Sequence, residues 1–349
     1  MISFQRDFSI ATILASHAIL PSKGFLHLSV LPARIATLPK AELHVHLEGS
    51  MQPSTVAKIA ANHGLVVSEE EVRRRYAYQD FVEFIESFKW VTSFLREPRD
   101  YGVIVRDFAD ALLAQHVVYA EVTLSIGVMQ LRGQDPQANF EAMLEAAEDY
   151  ERRGLRLRWV WDAVRQFGVE AAMAVVEAAG RCHSDKIVAF GIGGDERSIP
   201  ARDFRAVYGR AEDLGMRRLI HAGEVGGPEN IRQAIEHLKV DRIGHGIAAI
   251  RDPALMDLLA ERQIPLEVCP ASNICTGALA LQLGTDAPTN EQHPLPKLFR
   301  HGVPIVLSTD DPTMFHTTLT GEYENAAKMG LDKSELERLV EMSFTHAFR

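Results

Sequence analysis

The sequence predicts a (β/α)8 TIM barrel with extra helices inserted after its first strand, and three observations carry that prediction. Eight short apolar, β-branched runs recur along the chain, most of them followed by an amphipathic segment at helical spacing. The runs are continuous rather than alternating, which is the pattern of parallel strands covered on both faces. No Pro/Gly/Ser-rich linker divides the 349 residues, and a single barrel routinely reaches this length.

The strands are expected at residues 42–47, 117–124, 156–163, 187–191, 217–221, 241–245, 265–269 and 304–308. Helical patterns fall at 140–152, 169–179, 204–214, 228–237 and 253–262. Residues 51–114 break the alternation. Rich in aromatics over residues 76–94, the whole stretch reads as extra helices inserted after the first strand, a lid over the barrel mouth. Residues 1–37 read as an extension outside the core, and residues 38–349 as one barrel domain. Residues 8–20 are mildly apolar, but Asp7 and His17 interrupt them and no small-residue cleavage site follows, so a signal peptide is the lesser reading.

Composition narrows the function. With 46% hydrophobic and 24% charged residues the chain can bury a large core without crosslinks. Against 37 Lys and Arg stand 47 Asp and Glu, a net charge of −10, which argues against a nucleic-acid partner and for a small-molecule ligand. No apolar run approaches the roughly 18 to 20 residues of a membrane span. Three cysteines, Cys182, Cys269 and Cys275, suit a reducing, cytoplasmic setting rather than a disulfide scaffold. Fourteen histidines stand out. Oligomeric state is not legible.

The chemistry gathers where the expected strands end. His44 and His46 lie two apart on the first strand, so their side chains share a face, the barrel interior. His221-Ala-Gly-Glu224, His245-Gly246 and Ser308-Thr-Asp310-Asp311-Pro312 close three later strands. Active sites on this fold collect at those ends. Taken singly, His-x-His is commonly packing, His221 a core histidine, Asp310-Asp311-Pro a turn and Glu224 a solvated loop carboxylate. Together, three histidines and a carboxylate make a shell for Zn²⁺ with a position left for water. If extended, Asp310 and Asp311 point to different sides, so one can meet metal and the other substrate. Ten further histidines, such as His183 and His301, read as surface or loop residues.

His44-Val-His46-Leu-Glu48-Gly49, Gly194-Asp195-Glu196, His221-Ala-Gly-Glu224, His245-Gly246, Cys269-Pro-x-Ser-Asn273 and Ser308-Thr-Asp310-Asp311-Pro312 resemble, in order, the motifs of the adenosine deaminase family, a branch of the metal-dependent amidohydrolases. The resemblance runs from about Leu38 to the end of the sequence. It implies a hydrolytic deaminase of adenine-containing nucleosides, with one Zn²⁺ per chain held by His44, His46, His221 and Asp310. Glu224 would protonate N1, Asp311 would bond N7 and the Gly194 N–H would reach N3. His245 would act beside the water, either as a base or as an electrostatic steering group. Chemistry agrees, because zinc lowers the pKa of bound water to about 7, and a buried carboxylic acid at N1 prevents charge from accumulating on the ring.

Two related chemistries are absent. The His-x-Glu and Pro-Cys-x-x-Cys pattern of cytidine-type deaminases does not occur. The fourth strand ends Ala-Phe-Gly-Ile-Gly-Gly-Asp-Glu, without the lysine that bridges two metals in binuclear amidohydrolases. Substrate choice is open among adenosine, free adenine and aminodeoxyfutalosine. Glu48 stands where adenosine deaminases tend to carry Asp, near the sugar. Ala120-Glu-Val-Thr-Leu-Ser, Trp161-Asp-Ala-Val-Arg-Gln-Phe-Gly168 and Thr276-Gly-Ala-Leu are similar to aminodeoxyfutalosine deaminases of the alternative menaquinone route. That substrate is an N6-amino purine nucleoside with a carboxylated aryl extension, and Arg165, Arg96 or Arg99 would pair with its carboxylate. A secreted, deaminase-like binding factor is the reading of another class, and Glu224 beside a metal shell argues against it. The tail Ser343–Arg349 stops where members of the family continue into a final helix.

Overall fold

The structure is a computed structural model that describes residues 33–78 and 80–348. The expected extension up to residue 32, with its signal-peptide reading, lies outside the described residues. Eight parallel strands follow one another around a single sheet in sequence order, so the predicted TIM barrel is the architecture observed. They are β1 (Lys40–His46), β2 (Val117–Leu124), β3 (Arg156–Val164), β4 (Ile187–Gly193), β5 (Arg217–Ala222), β6 (Arg242–His245), β7 (Leu266–Val268) and β8 (Ile305–Leu307). The ring closes just beyond β8, where Asp310 N–H donates to His44 O at 3.0 Å and His46 N–H donates to Asp310 O at 2.7 Å. β7 and β8 are shorter than expected because Pro265 and Pro304, at their starts, have no N–H to donate to a ladder.

The residues between β1 and β2 form α1 (Pro53–Asn62), α2 (Glu69–Arg75), α3 (Phe81–Thr92) and α4 (Pro98–Ala114). α4 differs from the rest of the expected insertion. It buries Ile104, Val105, Phe108 and Leu112, and its Arg106 O accepts from Tyr150 Oη at 2.9 Å, so it belongs to the outer helical ring. The extra helices are therefore α1 to α3. In α3, Asp80 caps the first turn by accepting from Glu83 N–H. Phe81, Phe84, Ile85 and Phe88 recur at helical spacing on one face. Phe84 packs on Phe315 with ring centroids 4.9 Å apart, and Tyr78 Oη donates to Met314 O. These contacts fasten α3 across the mouth to the loop after β8, as the lid reading expects.

At the opposite end, five residues expected in the extension, Ala33–Thr37, form a helical turn whose Ile35 is buried in the core. The buried Lys40 ammonium ties that turn to α4 by donating to Ala36 O, Leu38 O and Gln115 O. No helix among the described residues is long and apolar enough to cross a membrane.

Candidate active site

β1 carries His44 and His46 on the interior side, β5 ends on His221-Ala222, and β6 ends on His245. Asp310 follows β8 in the ring-closing bridge. Two of these residues hold left-handed backbone, His245 at φ +61° and Asp310 at φ +67°. Side chains with a Cβ rarely adopt that conformation, and its strain is characteristic of residues aimed by a rigid scaffold. It also corrects the expectation that Asp310 and Asp311 point apart. Asp310 is not extended, and both carboxyls reach one cavity, where carboxylate oxygens of Asp310 and Asp311 and a nitrogen of His46 lie within 4.8 Å of one another.

Ligand atoms of His44, His221, His245 and Asp310 also lie within 4.8 Å of one another. Asp310 Oδ1 is 3.6 Å from His44 Nε2 and 3.4 Å from His46 Nε2. His44 Nε2 is buried with no hydrogen-bond partner. An orphaned imidazole nitrogen beside a carboxylate is what a divalent cation satisfies, and the mixed N/O donor set fits zinc. The cysteines take no part: Cys182, Cys269 and Cys275 are free thiols outside these groups.

Charge in the site is strongly redistributed. Burial opposes protonation of His44, yet the Asp310 and Glu267 carboxylates outweigh it and raise the imidazole to about 10. Burial lowers His46 and His245 to about 4 and, with neighbouring imidazoles, pushes His221 well below its ordinary value. Burial works against the Asp310 carboxylate, but the surrounding histidines hold it well below the usual carboxylate range. Glu224 goes the other way, raised well above that range by burial and by the Asp310 and Glu196 carboxylates. Asp311 is raised by burial and by its neighbour Asp310.

The cavity has two halves. His46, His221, His245, Asp310, Asp311, Glu224 and Asp162 line the inner half, with Gly193 and Gly194 at one wall. Phe81, Phe84, Ile85 and Phe88 of the lid line the outer half with Val128 and Phe167, and Lys89 is the cation there. Gly49 is required because a Cβ on it would fall 1.8 Å from Asp311 Oδ1.

One expected substrate contact is corrected. Arg165 is 0% exposed, and its guanidinium donates to His221 O at 2.7 Å and Ile199 O at 3.3 Å, so it braces the backbone behind His221. Glu48 is buried beside the cavity: from a 3-10 turn at Glu48–Ser50, Oε1 accepts from the N–H of Ser125, a lining residue, at 3.0 Å, and Oε2 has no hydrogen-bond partner. Of the other arginines proposed for a carboxylate, Arg96 borders a separate hollow and Arg99 pairs with Glu97 in solvent.

Several supporting residues had no role assigned from the sequence, although Ser272 and Glu196 lie in its motifs. Glu267 on β7 accepts from His44 Nδ1 at 2.7 Å and from Arg242 Nε at 2.5 Å. Arg242 also donates to Glu121 and to His346 O, and stacks on Phe348 at 3.6 Å from the ring centroid. This buried line of charge runs from the barrel floor to a histidine of the metal group. Ser272 Oγ donates to Asp310 Oδ2 at 2.6 Å. The Glu196 carboxylate accepts the N–H groups of Gly223, Glu224, Val225 and Gly226, at 2.7 to 3.1 Å, and so fixes the loop that presents Glu224. Two histidines depart from the surface reading: His63 pairs with Asp100 at 2.7 Å, and His293 is buried behind His245.

The family model for adenosine deaminase matches residues 39–349. An aminodeoxyfutalosine deaminase of Streptomyces avermitilis is 37% identical over 321 residues, 90% of this chain and 87% of that protein. An adenine deaminase of Chelativorans sp. is 34% identical over 313 residues, 89% of this chain and 94% of that protein. A solved amidohydrolase of Burkholderia ambifaria with bound Zn aligns with a TM-score of 0.84 at 25% identity, covering 94% of this chain and 90% of that one. A match over the whole barrel, with the motif residues gathered at its mouth, establishes that the chain belongs to the adenosine deaminase family.

Proposed function

We propose that the chain is a zinc-dependent hydrolytic deaminase that replaces the 6-amino group of an adenine ring with oxygen and releases ammonia. One observation carries this reading: Glu224, buried and raised well above the usual carboxylate range, faces the same cavity as the His/Asp donor group. His44, His46, His221 and Asp310 would hold a single ion, because Asp310 belongs to both donor groups and His46 Nε2 lies 3.4 Å from its Oδ1. When bound, zinc supplies a Lewis acid that makes water nucleophilic at neutral pH. Glu224 delivers its proton to N1 as carbon 6 is attacked, which removes the negative charge from the ring. Asp311 bonds N7, and the Gly194 N–H reaches N3. The apolar lid excludes water from the inner half, where those hydrogen bonds strengthen in a lower dielectric.

For the substrate we propose an adenine nucleoside with an aryl, carboxylated extension, as in aminodeoxyfutalosine. The phenylalanine-lined outer half suits an aryl group, and Lys89, whose ammonium donates to the exposed Glu86 carboxylate at 2.7 Å, is the cation on the cavity wall and would exchange that partner for the substrate's. The similarity to an adenine deaminase favours the second reading, the free base. Measuring kcat/KM for aminodeoxyfutalosine, adenosine and adenine decides between them. The extended nucleoside is expected to lead, and a clear lead for either of the others rejects the extension.

A further inference from the structure

The hydrogen bonds behind His245 define where its proton sits, starting from a group that can only donate. The backbone N–H of Leu295 donates to His293 Nδ1 at 3.1 Å. Burial keeps His293 neutral, lowering it to about 3, so its own proton lies on Nε2. That nitrogen is 3.2 Å from Asn273 Oδ1 and donates to it. The amide is thereby oriented, and its Nδ2 donates to His245 Nδ1 at 3.0 Å. A neutral imidazole that accepts at Nδ1 carries its proton on Nε2. His245 Nε2 has no hydrogen-bond partner and faces Glu224 Oε2 at 3.6 Å and Asp310 Oδ2 at 3.8 Å.

We infer that His293 and Asn273 are positioning residues that present His245 to the reaction as an Nε2–H donor, so that it steers and stabilises the attacking oxygen: one proton of the water leaves to solvent before attack, the other departs with the ammonia, and solvent reprotonates Glu224. A base would need its lone pair on Nε2, and the three buried bonds behind the ring assign that lone pair to Nδ1. The arrangement selects one of the two roles that the sequence alone permits for His245. It rests on the deaminase reading for its chemistry, but the proton position is independent of turnover.

Two measurements test it. Histidine ¹⁵N NMR of the zinc-loaded protein is expected to show His245 with a protonated Nε2 and a bare Nδ1. His293→Gln keeps both bonds, accepting from Leu295 and donating to Asn273, and is expected to retain kcat. His293→Phe removes the donor, and kcat is expected to fall about 10- to 100-fold with KM near the wild-type value, the usual loss for a supporting partner. A proton on Nδ1 of His245 in the wild type, or an unchanged kcat in His293→Phe, overturns the inference. If His293→Phe does not fold, the wild-type spectrum and His293→Gln decide. A zinc-loaded protein that deaminates no purine defeats the proposed function and leaves the spectrum readable, so the two failures are distinguishable.

Discussion

Glu224 is a carboxyl group raised well above its ordinary range. Its side chain is buried, two other carboxylates stand near it, and Gln282 Nε2 fixes its backbone carbonyl at 2.7 Å. Glu224→Gln preserves shape but removes the acid, so the variant should bind zinc at wild-type stoichiometry while kcat drops about 10²- to 10⁴-fold. Metal analysis beside steady-state kinetics checks this, and near-normal turnover in a metal-replete variant would contradict the role. Residues of this kind were legible because ligand-type side chains at strand ends are rare against apolar strand bodies. Arg165 was misread because nearness along the chain does not fix direction. Glu196 was legible as part of a motif but not in its role, and His293 was missed, because their partners are main-chain groups and amides, which leave no pattern in a sequence.

Among elements, the strands were legible to within about two residues, since continuous apolar runs flanked by turn signals have little freedom in a barrel. The lid was legible as an aromatic insertion, but the boundary between lid and outer ring was not. α4 has the same amphipathic period as the inserted helices, and only its packing on Tyr150 distinguishes it. The loop after β5 shows how an element is held for chemistry. Four consecutive backbone N–H groups converge on one carboxylate, with Asn230 Nδ2 a fifth donor at 3.1 Å. Glu196→Gln sets an NH2 group against those donors. Thermal unfolding should reveal a loss of about 1 to 3 kcal/mol, the penalty for buried polar groups left unpaired. Turnover should fall with it, and a variant matching the wild type in both would show that the clamp is unimportant.

For the whole molecule, the interior charge of a closed barrel makes stability depend on pH in a definite direction. Glu322 is fully buried and raised from 4.5 to about 7 by burial, against hydrogen bonds from Thr317, Asn325 and Ala271. The fold therefore binds this proton more tightly than the unfolded chain does. Its contribution is complete below about 4.5 and is lost as pH rises through about 7. Stability measured by denaturant between those values should decline less steeply in Glu322→Gln than in the wild type, the difference being at most about 1.4 kcal/mol per pH unit for one carboxyl. Equal slopes would show that Glu322 does not titrate in this range.

The charge line beneath the metal group bears on how the protein is made. Arg242, buried between Glu121 and Glu267, completes its bonds only with His346 O and the Phe348 ring. A buried cation missing part of its shell opposes compaction. During synthesis, β1 to β8 emerge from the ribosome before residues 346–348 do. A nascent chain that has delivered all eight strands still lacks the carbonyl, N–H and ring that complete the hydrogen bonds of its floor, so this part of the barrel is finished only after those residues are released from the exit tunnel.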